Sequence, residues 1–472
     1  MQYKTYKDFD EAYGFAKKAG FQLTEMQMRL VEQTTEWKKS LNKSEVGCGK
    51  SAMSTVNSLM QDYQVTLITV PPILITGWAK WLNKVSSGVV VYRGDPRERG
   101  KLVPLLKTAR WIICSHAIYR TDFETLKEAV KDRDYELIVD EAHALKNPQS
   151  VLFKKTQLLT AGDIGCQLLT GTPVSKPLDA YSYVKLKHPK VYRSYGHFEA
   201  MHVAERDFFK KPTAFCNLDL LASNLNMQTV SANKEEMHGY SLKPLAPDCS
   251  YDLDPEHYRL YAKLVDEQLL SFDDGSVIDA TTSQKLRQAL QQVVVNWDYF
   301  SNDPSKKSAA YDVIDQTLEE IEVSRLDKSK LIIWVQYKRS ARSVLDYCNK
   351  LGIKTVAAYS EADTEKSVQA FLEDDKTRIL VGNPQSCGAG LNPQHVCSEA
   401  LFLEMSTVPL YMHQSMGRID RVGQTRVPRF KFAVANKTVQ TGLLASLLNG
   451  DDLMQKVAPT KTSIRAMLLG EI

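Results

Sequence analysis

The feature that most constrains this chain is a rhythm that occurs twice: strand-sized apolar runs alternating with longer amphipathic stretches. VTLITV (65–70), GVVVY (88–92), WIICS (111–115), YELIVD (135–140) and CQLLTG (166–171) are strand-like, with helix-like stretches such as SAMSTVNSLMQDY and VPLLKTA between them. The rhythm breaks after about residue 175. Residues 176–235 are mixed, aromatic and polar and read as helical, and KPLAPDC (243–249), with its two prolines, reads as an interdomain joint. A second alternation follows, with helix-like HYRLYAKLVDEQLLSF, SQKLRQALQQVVVNW and SARSVLDYCNKL, and strand-like LIIWV (331–335), KTVAAY (354–359), TRILVG (377–382) and EALFLE (399–404). Such alternation predicts parallel sheets covered by helices. The expected fold class is therefore α/β, with two parallel-sheet lobes at 1–240 and 241–472 and a helical insertion at about 176–235 in the first. Ligands in such sheets collect at the carboxyl ends of the strands.

Composition excludes several classes. With 472 residues, 43% hydrophobic and 25% charged, the chain has material for more than one core and is not disordered as a whole. No apolar run approaches the ~18–20 residues of a membrane span. The opening MQYKTYKDFDEAYGFAKKAG is polar and lacks the apolar core of a secretory leader. The eight cysteines contain no CxxC pair and read as reduced thiols, and His197 and His202 have the wrong spacing for a helical metal pair, so no structural metal is expected. A monomer is expected, in the cytoplasm of a bacterium or virus-infected cell, or in the nucleus of a eukaryote. The net charge of +4 excludes a histone-like polycation. Its placement is uneven: residues 1–200 hold 29 basic and 21 acidic residues, 201–400 hold 22 and 30, and 401–472 hold 9 and 5.

Two motifs carry chemistry. In GCGKS (47–51), Gly47 and Gly49 would let backbone N–H groups close around phosphates at a helix N-terminus. Lys50 would reach the β- and γ-phosphates and Ser51 would bind Mg²⁺. The general pattern GxxxxGK[ST] wants glycine at 44, where this chain has Ser44, and the preceding SLNKSEV is a poor strand. LIVDEAH (137–143) is an apolar strand that ends in two carboxylates. Asp140 would hold Mg²⁺, Glu141 would orient or deprotonate an attacking water, and His143 would couple this site to its neighbours.

GCGKS and DEAHALKN together resemble the superfamily-two helicases, and within them the Swi/Snf-type DNA-dependent ATPases. The resemblance continues in order over roughly residues 20–440. LTEMQ (23–27) resembles the segment that precedes the phosphate loop, with Gln27 a candidate adenine contact. LITVPPILITGWAKWLNKV (67–85) and ICSHAIYR (113–120) resemble motifs Ia and Ib. LLTGTPVSKPLDAY (168–181), with Thr170, Gly171 and Thr172, resembles the motif that couples ATP state to DNA contact. SQKLRQAL (283–290), LIIWVQYKRSARSVL (331–345) and NPQSCGAGLN (383–392) resemble the helix opening the second lobe and motifs IV and V. HQSMGRIDRVGQ (413–424) fits both the QxxGRxxR pattern and the Swi/Snf-type RxGQ ending.

The resemblance implies two RecA-like lobes and ATP as substrate. It also implies catalytic roles for Lys50, Asp140, Glu141, Gln414, Arg418 and Arg421. Arg421 takes the arginine-finger role with Arg418 assisting, the two lying three apart on one helix face. Candidate nucleic-acid contacts are Trp78, Lys80, Ser115, His116, Gln336, Tyr337, Lys338, Arg339, Asn383 and Ser386. Trp78 and Trp81 also suit helix packing. The expected partner is duplex or branched DNA, tracked through its backbone without base readout. VSKPLDAY leans to the fork-remodelling, annealing-helicase branch. The expected activity is ATP-driven translocation on double-stranded DNA, acting on forks, branched DNA or protein–DNA complexes without necessarily unwinding. A strand-separating DNA or RNA helicase and a nucleotide-regulated adaptor with little hydrolysis remain as alternatives.

Overall fold

The computed structural model describes residues 23–457, together with Gly14 and Lys17 and except for 62, 234, 237–243, 272–276, 324–329, 360, 385–390, 407 and 422. The described residues divide into two compact units: those up to 241 with those from 453 onward, and those of 242–452.

The first unit is built on a seven-stranded sheet. Its strands are β1 (Lys39–Asn42), β2 (Val65–Val70), β3 (Val89–Val91), β4 (Trp111–Ser115), β5 (Tyr135–Asp140), β6 (Gly165–Leu169) and, after the hairpin strands β7 (Val203–Arg206) and β8 (Pro212–Phe215), β9 (Thr229–Val230). The order is β3-β4-β2-β5-β6-β1-β9 and every pair is parallel. Successive residues of a strand point to opposite faces, and here both faces are covered. Val65 and Leu67 of β2 enter one hydrophobic cluster, and Ile68 and Val70 enter the other. Leu137 and Val139 of β5 are likewise separated from Ile138. A strand buried on both faces must be apolar throughout, which is why these runs were legible.

The second unit holds β10 (Asp248–Tyr251), the antiparallel pair β11 (Leu269–Ser271) and β12 (Val277–Asp279), and then β13 (Lys330–Trp334), β14 (Thr355–Ala358), β15 (Ile379–Gly382), β16 (Cys397–Phe402) and β17 (Arg429–Ala435). Its main sheet runs β10-β17-β16-β13-β15-β14, again all parallel. Ile332 and Trp334 face one cluster, and Leu331 and Ile333 the other.

Three local expectations are corrected. The stretch judged a poor strand, SLNKSEV, contributes β1, because pairing with β6 and β9 on both sides outweighs its weak propensity. Residues 176–235 are not purely helical: helices Ala180–Lys187, Tyr195–His202 and Leu218–Asn226 are joined by the β7–β8 hairpin and followed by β9. The expected joint at 243–249 is in part sheet, since Leu245 bridges Arg429 and Asp248–Tyr251 pairs with β17. No helix among the described residues is long and apolar enough to cross a membrane.

Candidate active site

Because the first sheet is parallel, its strands deliver their following loops to one edge. Asn42 at the end of β1 neighbours Leu169, Leu169 neighbours Asp140, and Val70 neighbours Ser115. The phosphate-loop segment, Thr170–Gly171–Thr172, Glu141–Ala142–His143, the segment after β2 and His116 therefore leave the sheet side by side.

The loop turns through two left-handed glycines, Gly47 (φ 92) and Gly49 (φ 76), into the helix Lys50–Met60. Gly49 is the N-cap and no side chain caps the helix, so its first N–H groups and the positive end of its dipole face the loop. Ser44, standing where the general pattern has glycine, is buried, and its hydroxyl accepts from Ala232 N at 3.1 Å. The loop's entry also runs along the chain that continues β9, with Glu45 N donating to Ala232 O at 3.0 Å. Ser44 thus fastens the loop to the sheet edge.

Lys50 turns its ammonium back into the loop, donating to the carbonyls of Ser44 (2.8 Å) and Glu45 (3.0 Å). Gly171 lies close by: a Cβ built there would be 3.0 Å from Val46 Cγ2 and 3.4 Å from Lys50 Nζ. Gln27 is buried on the other side of the loop. Its amide donates to Cys48 O at 2.9 Å and its Oε1 accepts from Thr24 N at 2.9 Å, so the side chain is engaged at both ends in holding the loop. Thr170 and Thr172 are buried, and Thr170 Oγ1 accepts from Thr172 N at 3.2 Å.

At the end of β5, Asp140 is buried. Its Oδ2 accepts from the Trp78 indole at 2.7 Å and its Oδ1 from Glu141 N at 2.9 Å. Burial and then the charge of Glu141 push its carboxyl up to about 6, against the opposing pull of Trp78 and Lys50. The buried Asp140 carboxylate, beside the half-buried Glu141, is a donor of the kind Mg²⁺ takes, and Asp140 and Ser51 are the residues that would hold such an ion. Glu141 occupies the left-handed region at φ 49, a costly conformation for a side chain with a Cβ. Its Oε2 lies 3.2 Å from His143 Nδ1.

The expected nucleic-acid contacts of this unit lie in unlike surroundings. Trp78 is 4% exposed and donates its N–H to Asp140, so in this structure it holds that carboxylate. Ser115 is buried, and its hydroxyl accepts from Ile118 N at 3.1 Å to cap the helix His116–Thr121. His116 faces Thr69 Oγ1 through Nδ1 at 2.8 Å, and its Nε2 is out of solvent. Burial, then the neighbouring His143, push its pKa down to about 4, so it is neutral at pH 7 and brings no positive charge to a phosphate. Lys80 is exposed.

In the second unit, the backbone N–H groups of Gln336 and Tyr337 donate to Glu404 Oε2 at 2.8 and 3.2 Å, and Ser340 donates to Glu404 Oε1 at 2.6 Å. Asn383 Nδ2 donates to Gln336 O at 2.9 Å, which joins the segments resembling motifs IV and V. Lys338 and Arg339 are exposed, and the Arg339 guanidinium stacks 3.4 Å over the Tyr299 ring. Ser386 lies outside the described residues.

Gln414 and Arg418 sit on the buried face of the helix Pro409–Ile419. The helix ends before Arg421, so the expectation that Arg418 and Arg421 share a helix face is corrected. Gly423 (φ 88) turns the chain, and the Gln424 amide donates to Cys397 O (2.9 Å) and Ile419 O (3.3 Å), which closes the helix end. Arg421 is half-buried between the helix end and that turn, with its guanidinium donating to Asn392 Oδ1.

Sequence reasoning missed Thr69, Glu404 and the positioning role of Trp78. Only Glu404 left a signal, as a carboxylate closing an apolar run. Among the described residues no cluster of three His, Cys, Asp or Glu side chains is placed to hold a metal.

The fold and this edge define a class, the α/β proteins in which a glycine loop opening a helix and an acidic pair leave the same edge of one parallel sheet. The profile of the SNF2-related domain matches residues 20–297, more than half of the chain, and the chain belongs to that family. It is similar to an uncharacterized ATP-dependent helicase of Mycoplasma pneumoniae, 22% identical over 87% of this chain and 39% of the relative. It is also similar to the human DNA annealing helicase and endonuclease ZRANB3, 22% identical over 86% of this chain and 37% of the relative. The chain thus spans about two fifths of the length of these relatives. Against the ATP-dependent helicase YqhH of Bacillus subtilis, also uncharacterized, it is 21% identical over 89% of this chain and 76% of that protein. Among solved structures, a Sulfolobus solfataricus SWI2/SNF2 ATPase core in complex with double-stranded DNA matches over 93% of each chain, with 18% identity and a TM-score of 0.40.

Proposed function

We propose that the chain is an ATP-driven translocase on double-stranded DNA, acting on forked or branched DNA or on protein–DNA complexes without necessarily separating strands. The observation that supports this most is the shared edge where the Lys50 loop, Thr170–Thr172 and Asp140–Glu141 leave one parallel sheet. Membership of the SNF2-related family and helicase relatives support it further. The fork-remodelling lean rests on VSKPLDAY and is consistent with the annealing helicase among the relatives.

In this reading Lys50 leaves the carbonyls of Ser44 and Glu45 to meet the β- and γ-phosphates. Glu141, steadied by His143, takes a proton from the attacking water. Mg²⁺ held by Ser51 and Asp140 would neutralise phosphate charge. Arg421, assisted by Arg418 and Gln414, supplies positive charge to the γ-phosphoryl group. Lys80, Lys338 and Arg339 are the exposed cations best suited to DNA phosphates.

The test is ATP hydrolysis measured with no polymer, blunt duplex, forked DNA, single-stranded DNA and RNA, beside Glu141→Gln and Lys50→Ala. Stimulation by duplex or forked DNA, with both variants inactive, is expected. Stimulation by RNA alone, or an active Lys50→Ala protein, would overturn the reading.

A further inference from the structure

The β7–β8 hairpin ends in a feature that ATP hydrolysis does not use. At its tip Phe208 is 94% exposed and Phe209 76% exposed, with their rings edge to face at 5.4 Å. The tip is built to hold them there. Asp207 N donates to Lys211 O and Lys210 N to Asp207 O, both at 2.9 Å, while the Asp207 carboxylate accepts from Lys211 N at 2.8 Å. Lys210 takes the left-handed conformation (φ 61) that closes the turn, and Arg206 donates to its carbonyl at 2.8 Å.

The stem is anchored as firmly. Buried His202, at the foot of β7, bonds the Tyr192 hydroxyl at 2.9 Å, and Asn217, at the foot of β8, donates to Met201 O at 2.7 Å. Two rings are therefore displayed at the tip of an anchored hairpin and do not fold back onto the protein.

The charges beside them indicate what would cover them. The hairpin residues 203–215 carry Arg206, Lys210 and Lys211 against Glu205 and Asp207; Arg206 pairs with Glu199 at 3.1 Å and the Asp207 carboxylate accepts within the turn, while Lys210 and Lys211 directly follow the rings and are exposed. Aromatic faces followed directly by two exposed cations suit a polyanion whose flat groups are accessible. A duplex hides its base faces, but an unpaired strand offers both bases and phosphates. We propose that this tip is a stacking site for unpaired DNA bases, with Lys210 and Lys211 meeting the adjoining phosphates. The inference rests on the reading that the chain acts on DNA, and it adds recognition of the point where a duplex opens.

The experiment compares fluorescein-labelled single-stranded, forked and blunt-duplex oligonucleotides by anisotropy over a range of salt. Phe208→Ser combined with Phe209→Ser is expected to weaken single-strand and fork binding roughly tenfold or more, leaving blunt-duplex binding and duplex-stimulated ATPase unchanged. Phe208→Trp should keep the affinity, with its fluorescence quenched by single-stranded DNA. Lys210→Gln with Lys211→Gln should flatten the slope of log K against log salt by about 1.4. A wild-type protein that duplex does not stimulate would refute the translocase reading itself. The stacking site is overturned if the wild-type protein does not bind single strands, or if the folded double-serine variant binds single-stranded and forked DNA as tightly as wild type. A loss equal on blunt duplex, or a change confined to self-association in sedimentation, overturns it too.

Discussion

Replacing Trp78 by Phe removes one N–H and part of one ring from a buried slot. That N–H is 2.7 Å from Asp140 Oδ2, and the carboxylate also accepts from Glu141 N at 2.9 Å. A hydrogen bond to an ionised acceptor contributes about 1.5–3 kcal/mol, and the smaller ring adds roughly 1 kcal/mol of lost packing. The expected cost is therefore about 2.5–4 kcal/mol at neutral pH. Hydrogen exchange of the β5 amides, Tyr135–Asp140, reads this as a local opening free energy. The decisive comparison repeats Trp78→Phe in an Asp140→Asn background. There the acceptor is neutral and the hydrogen-bond part falls to about 0.5–1.5 kcal/mol, while the packing part is unchanged. A coupling of about 1–2 kcal/mol is expected. Equal losses in the two backgrounds, within about 0.3 kcal/mol, would refute the claim that Trp78 holds Asp140.

Three further outcomes are expected. Gly49→Ala forces a Cβ to 2.5 Å from Gln27 Nε2 at φ 76, which costs about 1–2 kcal/mol in backbone strain alone, so binding of a fluorescent ATP analogue should weaken about tenfold; unchanged binding would remove Gln27 from the loop's support. Glu404, buried and raised to about 7, holds its proton in the folded state between about pH 4.5 and 7 while the unfolded chain releases it. Its contribution is present below pH 4.5 and lost as pH rises through 7, by about 3 kcal/mol, and Glu404→Gln should flatten that slope in denaturation of the second unit. Arg421→Ala should lower kcat about a thousandfold with ATP binding retained, and an unchanged kcat would take the arginine out of phosphoryl transfer.

How much was legible depended on whether a segment's partners are local. β2, β4 and β5 were read within a residue of their ends, because a strand covered on both faces must be apolar along its whole length. β1, with sequence KSLN, carries no such run and becomes a strand only because β6 and β9 pair with it. The hairpin was taken for helix because VAER and PTAF have neither clear alternation nor a glycine turn; Asp207 and a left-handed Lys210 make the turn instead. In the segment resembling motif VI the end of the helix at Ile419 was not legible, because Gln424 closes it by reaching Cys397 in another strand.

The sequence by itself determined the α/β class and singled out the glycine loop 47–51, the acidic pair 140–141 and the arginine segment 413–424 as candidates. These depend on the two-residue period of strands and on the chemistry that phosphoryl transfer demands of a few side chains. Only the tertiary structure decided which groups meet. Trp78 and Asp140 are 62 residues apart, Ser44 and Ala232 are 188 apart, and Gln336 and Glu404 are 68 apart. Parallel strands are joined by long crossovers, so their register is set by packing across the sheet and leaves no mark in the spacing of the residues it brings together.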